Sequence, residues 1–135
     1  MTRATSPNPA SFEGHLEALL NDALRGCPSA TCLVLADSKG LPIWRVGSSD
    51  VRALTGAAMA GSAQATGDLI FESFAFGPAH LVEIRNAEWK VLAHRRHKGG
   101  LTILAIAPAT ADSSQLEQAL RAGLVAAEDA LFGAR

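Results

Sequence analysis

The residues with chemistry to offer are few. His94-Arg95-Arg96-His97-Lys98 is the one concentrated basic run, and it falls at a strand end and turn. Such a run suits an acidic protein surface, a phosphate or a metal ion, and equally a solvated hairpin end. His94 and His97 supply only two metal ligands, with no nearby Cys or acidic residue to complete a set. Cys27 and Cys32 are five positions apart, too far for a CxxC redox pair, and read as buried small hydrophobes. Asp37, followed by Ser38-Lys39-Gly40, reads as a carboxylate that holds a turn by accepting from nearby backbone amides. Gly56, Gly61 and Gly67 belong to no GxxxxGK[ST] or GxGxxG pattern, so they cradle no nucleotide. Within a helix each costs ~1 kcal/mol relative to alanine, which favours a close packing contact as their purpose. No spacing joins a nucleophile to a base, and His15, His80, His94 and His97 are scattered. The expectation is a non-enzymatic protein with no cofactor and no bound metal.

These residues are positioned by eight expected elements. Residues 1–10, with Pro7 and Pro9, read as a flexible leader, and residues 11–135 as a single domain. Leu16, Leu19, Leu20, Ala23 and Leu24 mark one face of a first helix that runs from Ser11 and closes at Gly26. Residues 30–36 are apolar on both alternate sets, as a strand buried on both faces requires. After the turn at Asp37 to Gly40, residues 41–46 form a second strand, and Pro42, which has no N–H to donate, places it at a sheet edge. Ser48, Ser49 and Asp50 offer capping oxygens for a long helix from Val51 to about Ser73. In that helix Leu54, Ala58, Ala65 and Leu69 are expected to face the sheet. A neighbouring ridge of Ala53, Ala57, Ala60, Gly61 and Gln64 is left for close approach by another backbone.

Phe71, Phe74 and Phe76 form a packed link up to Gly77-Pro78. Strands follow at 80–85, 89–95 and 101–107, joined by short connections. The last strand, apolar on both alternations, belongs beside the first at the sheet centre. Ser114 and Glu117, at capping-box spacing, open a final helix that stops at Gly133. The fold class is α/β, in the order α-β-β-α-β-β-β-α, with a five-stranded, mainly antiparallel sheet covered by helices.

Composition bounds the function. In 135 residues, 48% are hydrophobic and 19% charged, so a packed core rather than a disordered chain is expected. Twelve Lys and Arg against thirteen Asp and Glu give a net charge of -1, which argues against nucleic acid or an anionic membrane as the main partner. No apolar run reaches ~20 residues, and no signal-peptide pattern follows the opening residues, so neither membrane insertion nor export is expected. Two cysteines and no disulfide framework point to a reduced, cytoplasmic setting.

With this element order the chain resembles the roadblock family, the dynein light-chain and bacterial GTPase-regulator relatives of the longin and profilin-like folds. The resemblance rests on Leu33-Val34-Leu35-Ala36-Asp37-Ser38-Lys39-Gly40-Leu41-Pro42-Ile43 and on the alanine-rich helix that begins at Asp50. It implies a homodimer in which the long helices pack antiparallel and the third strands pair, with Ala53, Ala57, Ala60, Gly61, Gln64, Val82 and Ile84 at the interface. It further implies, as in bacterial members, binding and modulation of a small Ras-like GTPase without an arginine finger. Arg52, Trp44, Arg95 and Arg96 are the candidate partner contacts. A scaffold in a signalling or motor assembly is the alternative, followed by a profilin-like or PAS-like ligand sensor.

Overall fold

The computed structural model describes residues 11–47 and 52–133, and the backbone alone of Ala53. The leader, the capping candidates Ser48, Ser49 and Asp50, and Val51 lie outside the described residues. Eight elements follow the expected order: α1 (Phe12–Arg25), β1 (Cys32–Ala36), β2 (Pro42–Gly47), α2 (Ala53–Glu72), β3 (Leu81–Arg85), β4 (Trp89–Arg95), β5 (Thr102–Pro108) and α3 (Ser113–Phe132). The sheet order is β2-β1-β5-β4-β3, and every neighbouring pair is antiparallel. As the double-sided apolar runs require, β1 and β5 lie together at the centre, with β2 and β3 at the edges.

Alternation along β1 divides the core in two. Leu33 and Leu35 join Leu16 and Leu20 of α1 and Leu116, Leu120 and Leu124 of α3 on one face. Cys32, Val34 and Ala36 meet Ala57 and Ala60 of α2 on the other. Large aliphatic residues fill the first interface, while the second is built from small ones, so α2 sits close to the sheet. A Cβ on Gly61 would lie 3.2 Å from the Cα of Gly40 in the β1–β2 turn.

Local signals fix the ends of most elements. The Ser11 side chain accepts from Gly14 N at 3.0 Å and caps α1. Asp37 Oδ1 accepts from Lys39 N and Leu41 N, each at 2.9 Å, and Gly40 takes φ +79°, as its turn sequence anticipates. The start of α3 differs from expectation. Its cap is Asp112, whose carboxylate accepts from Ser114 N and Gln115 N, so Ser114 lies inside the helix and the Ser114–Glu117 box is not the cap. Asp wins because its short side chain reaches both amides from an extended backbone. Among the described residues, no helix is long and apolar enough to cross a membrane.

At the end of β2, Gly47 takes φ +110°, and a Cβ there would stand 2.3 Å from Thr31 O and 2.7 Å from Cys32 Cα. Gly47→Ala is expected to cost about 3 kcal/mol through backbone strain and overlap. A urea melt checks this, and an unchanged midpoint would show that the β1–β2 pairing tolerates the methyl group.

Candidate functional site

The helix α2 is apolar nearly all round, which normally marks a helix buried on every side. Only one side is covered here. Ala57 and Ala60 are fully buried against the chain's own sheet, whereas Leu54, Met59, Leu69 and Ile70 are exposed, each by half or more. The orientation is therefore opposite to the one read from sequence. Leu54, Ala58, Ala65 and Leu69 face outward, and Ala57, Ala60, Gly61 and Gln64 face inward.

The physical reason is separation: the small side chains let α2 approach the sheet until polar groups also meet. Gln64 Nε2 donates to Ala93 O of β4 at 2.9 Å. Asp68 accepts from Ala79 N at 2.9 Å and pairs with Arg95, whose Nε donates to Ala79 O at 3.0 Å. Burial pushes the Asp68 carboxyl up, but the Ala79 amide and Arg95 outweigh it and hold the group below the usual carboxylate value. Outside this pair, Lys98 Nζ meets Glu72 Oε2 at 2.6 Å, which raises the lysine by its hydrogen bond and the glutamate charge.

The uncovered side of α2 continues onto the edge strand. A Cβ on Gly67 would stand 2.9 Å from Ala79 Cβ and 3.0 Å from Val82 Cγ2, so helix and strand touch at this glycine. Ala58, Met59, Ser62, Ala63, Thr66, Gly67 and Ile70 of α2, with Val82 and Ile84 of β3, line an apolar groove of about 550 Å3. Among the described residues β3 pairs only with β4, which leaves its outer backbone edge without a ladder there.

Beyond the groove α2 closes on its aromatics. Phe76 N donates to Phe71 O and Ala75 N to Glu72 O, with Ala75 at φ 58°, the Schellman pattern with alanine in the place usually held by glycine. Phe74 stacks on Phe76 at 5.5 Å between ring centroids, and Phe71 meets Phe76 edge-on at 6.3 Å. The link is packed, as expected, yet its rings remain exposed.

The sequence-predicted site residues separate accordingly. Val82 and Ile84 lie on the groove, and Arg52 is exposed at the start of α2. Ala57, Ala60, Gly61 and Gln64 are occupied within the protomer, and the Ala53 side chain lies outside the described residues. Arg95 is not a surface contact, because it is buried in its pair with Asp68. Trp44 is half-buried against the core and donates Nε1 to Glu17 Oε1 at 3.1 Å. Arg96 is exposed but directed to Glu128 of α3 at 2.6 Å. Met59 and Ile70 were missed, and Phe74 and Phe76 were read only as a packed link. The signal for Met59 and Ile70 was the excess of large apolar residues in a helix whose alanines already form a complete face.

Alternation splits the basic run, sending Arg95 toward α2 and His94 toward α3. His94 is 3% exposed, and among the described residues neither ring nitrogen makes a hydrogen bond of good geometry, although the His80 backbone lies near enough to favour the charged ring. Burial and the nearby Arg121 hold its pKa below the ordinary histidine value, although Glu117 and the His80 backbone pull the other way. Cys27 and Cys32 are buried, as expected, and burial pushes both thiols up, partly opposed at Cys32 by Arg45.

No family model matches the chain, and no curated protein matches it. Solved structures do match. The gliding protein MglB of Thermus thermophilus aligns with TM-score 0.77 at 11% identity, covering 98% of this chain and 100% of that one. A Roadblock/LC7 domain from Streptomyces avermitilis gives 0.76 at 19%, covering 85% and 96%. An MglB in a tetrameric arrangement gives 0.75 at 14%, covering 96% and 100%. The chain has the roadblock fold. At these identities the shared property is the path of the backbone, and the roadblock fold here presents its own apolar groove and edge strand.

The buried Asp68–Arg95 pair gives a direct test of how α2 is held. Asp68→Ala is expected to destabilise the protein by about 3 kcal/mol at pH 7, because Arg95 loses its buried partner. A lowered carboxyl pKa contributes stability above the ordinary carboxylate range, and this is lost as pH falls through the folded value. The stability gap between the native chain and Asp68→Asn is therefore expected to narrow below about pH 4 in urea melts. A gap that stays constant down to pH 3 would refute this role.

Proposed function

We propose that the chain is a non-enzymatic regulatory module that pairs with a second copy of itself and, as a dimer, binds and modulates a small Ras-like GTPase. The observation that carries this reading is the continuous apolar groove of α2 and β3, beside an unpaired strand edge, in a chain with the roadblock fold. Exposed apolar faces of this kind mark association surfaces, and an open edge strand is a template for another strand. A two-fold axis through the groove would set α2 against α2 and β3 against β3, covering both features at once. The interface in this proposal consists of Ala58, Met59, Ser62, Ala63, Thr66 and Ile70, with Val82 and Ile84 as the sequence indicated.

The GTPase contact is assigned to groups that remain outside that interface. Arg52 and the rings of Phe74 and Phe76 are exposed, and Arg96 keeps an exposed side chain beside Glu128. A ligand sensor with a cavity beneath α2 fits less well, since Ala57 and Ala60 already seat the helix on the sheet and Gly61 meets Gly40.

Light scattering tests the dimer. The native chain is expected at twice its chain mass, and Met59→Glu, a substitution at an exposed position, is expected to give a folded monomer. An unpaired charge buried in the interface should weaken association about 30-fold, corresponding to ~2 kcal/mol. Ala57→Glu, by contrast, is expected to unfold the chain. A native monomer at high concentration, or a Met59→Glu dimer, removes the proposed interface. For the GTPase, single-turnover GTP hydrolysis by candidate Ras-like proteins is compared with the native chain and with Met59→Glu. A rate changed by the dimer alone supports modulation, and binding without a rate change supports a scaffold.

A further inference from the structure

A second site lies on the face of the sheet away from the α2 groove. An open cavity of about 460 Å3 is lined by His80 ahead of β3, His94 in β4, Arg96 and His97 in the following turn, and Glu117 and Arg121 of α3. The polar groups converge from four segments of the chain. His94 is the buried one, and among the described residues neither of its ring nitrogens makes a hydrogen bond of good geometry. Arg121, well exposed, stands at the mouth with one amino group 3.6 Å from Glu117 Oε2. Arg96 Nη1 donates to Glu128 at 2.6 Å. Each guanidinium has five N–H groups, so one carboxylate contact leaves donors for another acceptor.

The donor set selects the ligand. Two guanidinium groups, each already facing one carboxylate (Glu128 for Arg96, Glu117 for Arg121), and three imidazoles leave N–H donors in excess of acceptors, which favours a ligand rich in acceptor oxygens. Among the described residues, no three His, Cys, Asp or Glu side chains are grouped to hold a metal ion. We propose that this cavity binds a small oxyanion, phosphate or carboxylate, with Arg121 and Arg96 holding it at the mouth and, in the floor beneath it, the buried His94 ring. An oxyanion beside it favours the imidazolium, so binding draws a proton onto the ring and tightens as pH falls. The charged and titratable groups that face the cavity beside it are His80, His97, Arg96, Glu117 and Arg121, with Glu128 behind Arg96.

The test is carried out on the native full chain by proton–carbon NMR of the histidine rings, which resolves His94 from His80 and His97. Sodium phosphate and sodium acetate are titrated separately at constant ionic strength, with chloride as the balancing salt, at pH 6 and pH 8. The expected result is a saturable His94 shift with half-saturation on the order of 1–10 mM, tighter at pH 6. Saturation by phosphate alone assigns a tetrahedral anion, and by acetate alone a carboxylate. Arg121→Gln, which leaves the buried residues in place, is expected to weaken binding about tenfold or more. Absence of a saturable shift with either anion overturns the proposal, as does an unchanged half-saturation in folded Arg121→Gln. Neither result bears on the dimer, because the α2 groove shares no lining residue with this cavity.

Discussion

The close seating of α2 on the sheet governs much of what the chain can do. Alanines at 57 and 60 bring the helix axis near enough for Gly61 to pack on Gly40 and for Gly67 to pack on Ala79 and Val82. At that separation Gln64 reaches a β4 carbonyl, and Asp68 reaches both Arg95 and the Ala79 amide. Small apolar side chains under the helix are what allow these polar contacts, because bulk at Ala57 or Ala60 would hold α2 farther from the sheet. Once the small residues are committed to the sheet, the large ones must point outward. The same constraint that holds α2 in place thus produces an apolar exterior beside an edge strand.

Most of the architecture was legible in the sequence because its signals were local. Strands buried on both faces carry apolar residues at every position, which placed β1 and β5 at the centre, and a missing proline N–H placed β2 at an edge. Asp37 and Gly40 formed the expected turn because a short carboxylate and a residue free to take positive φ define it without help from the rest of the chain. The start of α3 was read from the Ser114–Glu117 spacing alone, whereas the cap that closes is set by the extended backbone at Asp112.

The orientation of α2 was not legible, for a physical reason. A helix that is apolar on all sides has no polar stripe to mark its outer face, so size was the remaining guide, and size misled. Leu54 and Leu69 are better core residues than Ala57 by burial energy alone, yet distance to the sheet is set by the polar lock and by the two glycine contacts as well. The basic run was ambiguous in a different way. Adjacent strand residues face opposite layers, so His94 and Arg95 belong to separate environments that only the covering helices define.

Those two neighbours show how burial is tolerated on the two faces of one strand. Arg95 is buried with an acidic partner and a carbonyl, so its charge is kept. His94 is buried without a hydrogen bond of good geometry among the described residues, and burial and Arg121 favour the neutral ring, against the pull of Glu117 and the His80 backbone. An arginine could not occupy position 94 on those terms, because it cannot shed its charge near neutral pH. Histidine can hold the same place in either state, and the state follows the charge beside it. The α2 face of β4 thus carries an ion pair beside the helix, while the α3 face carries a buried ring whose neutral form burial and Arg121 favour.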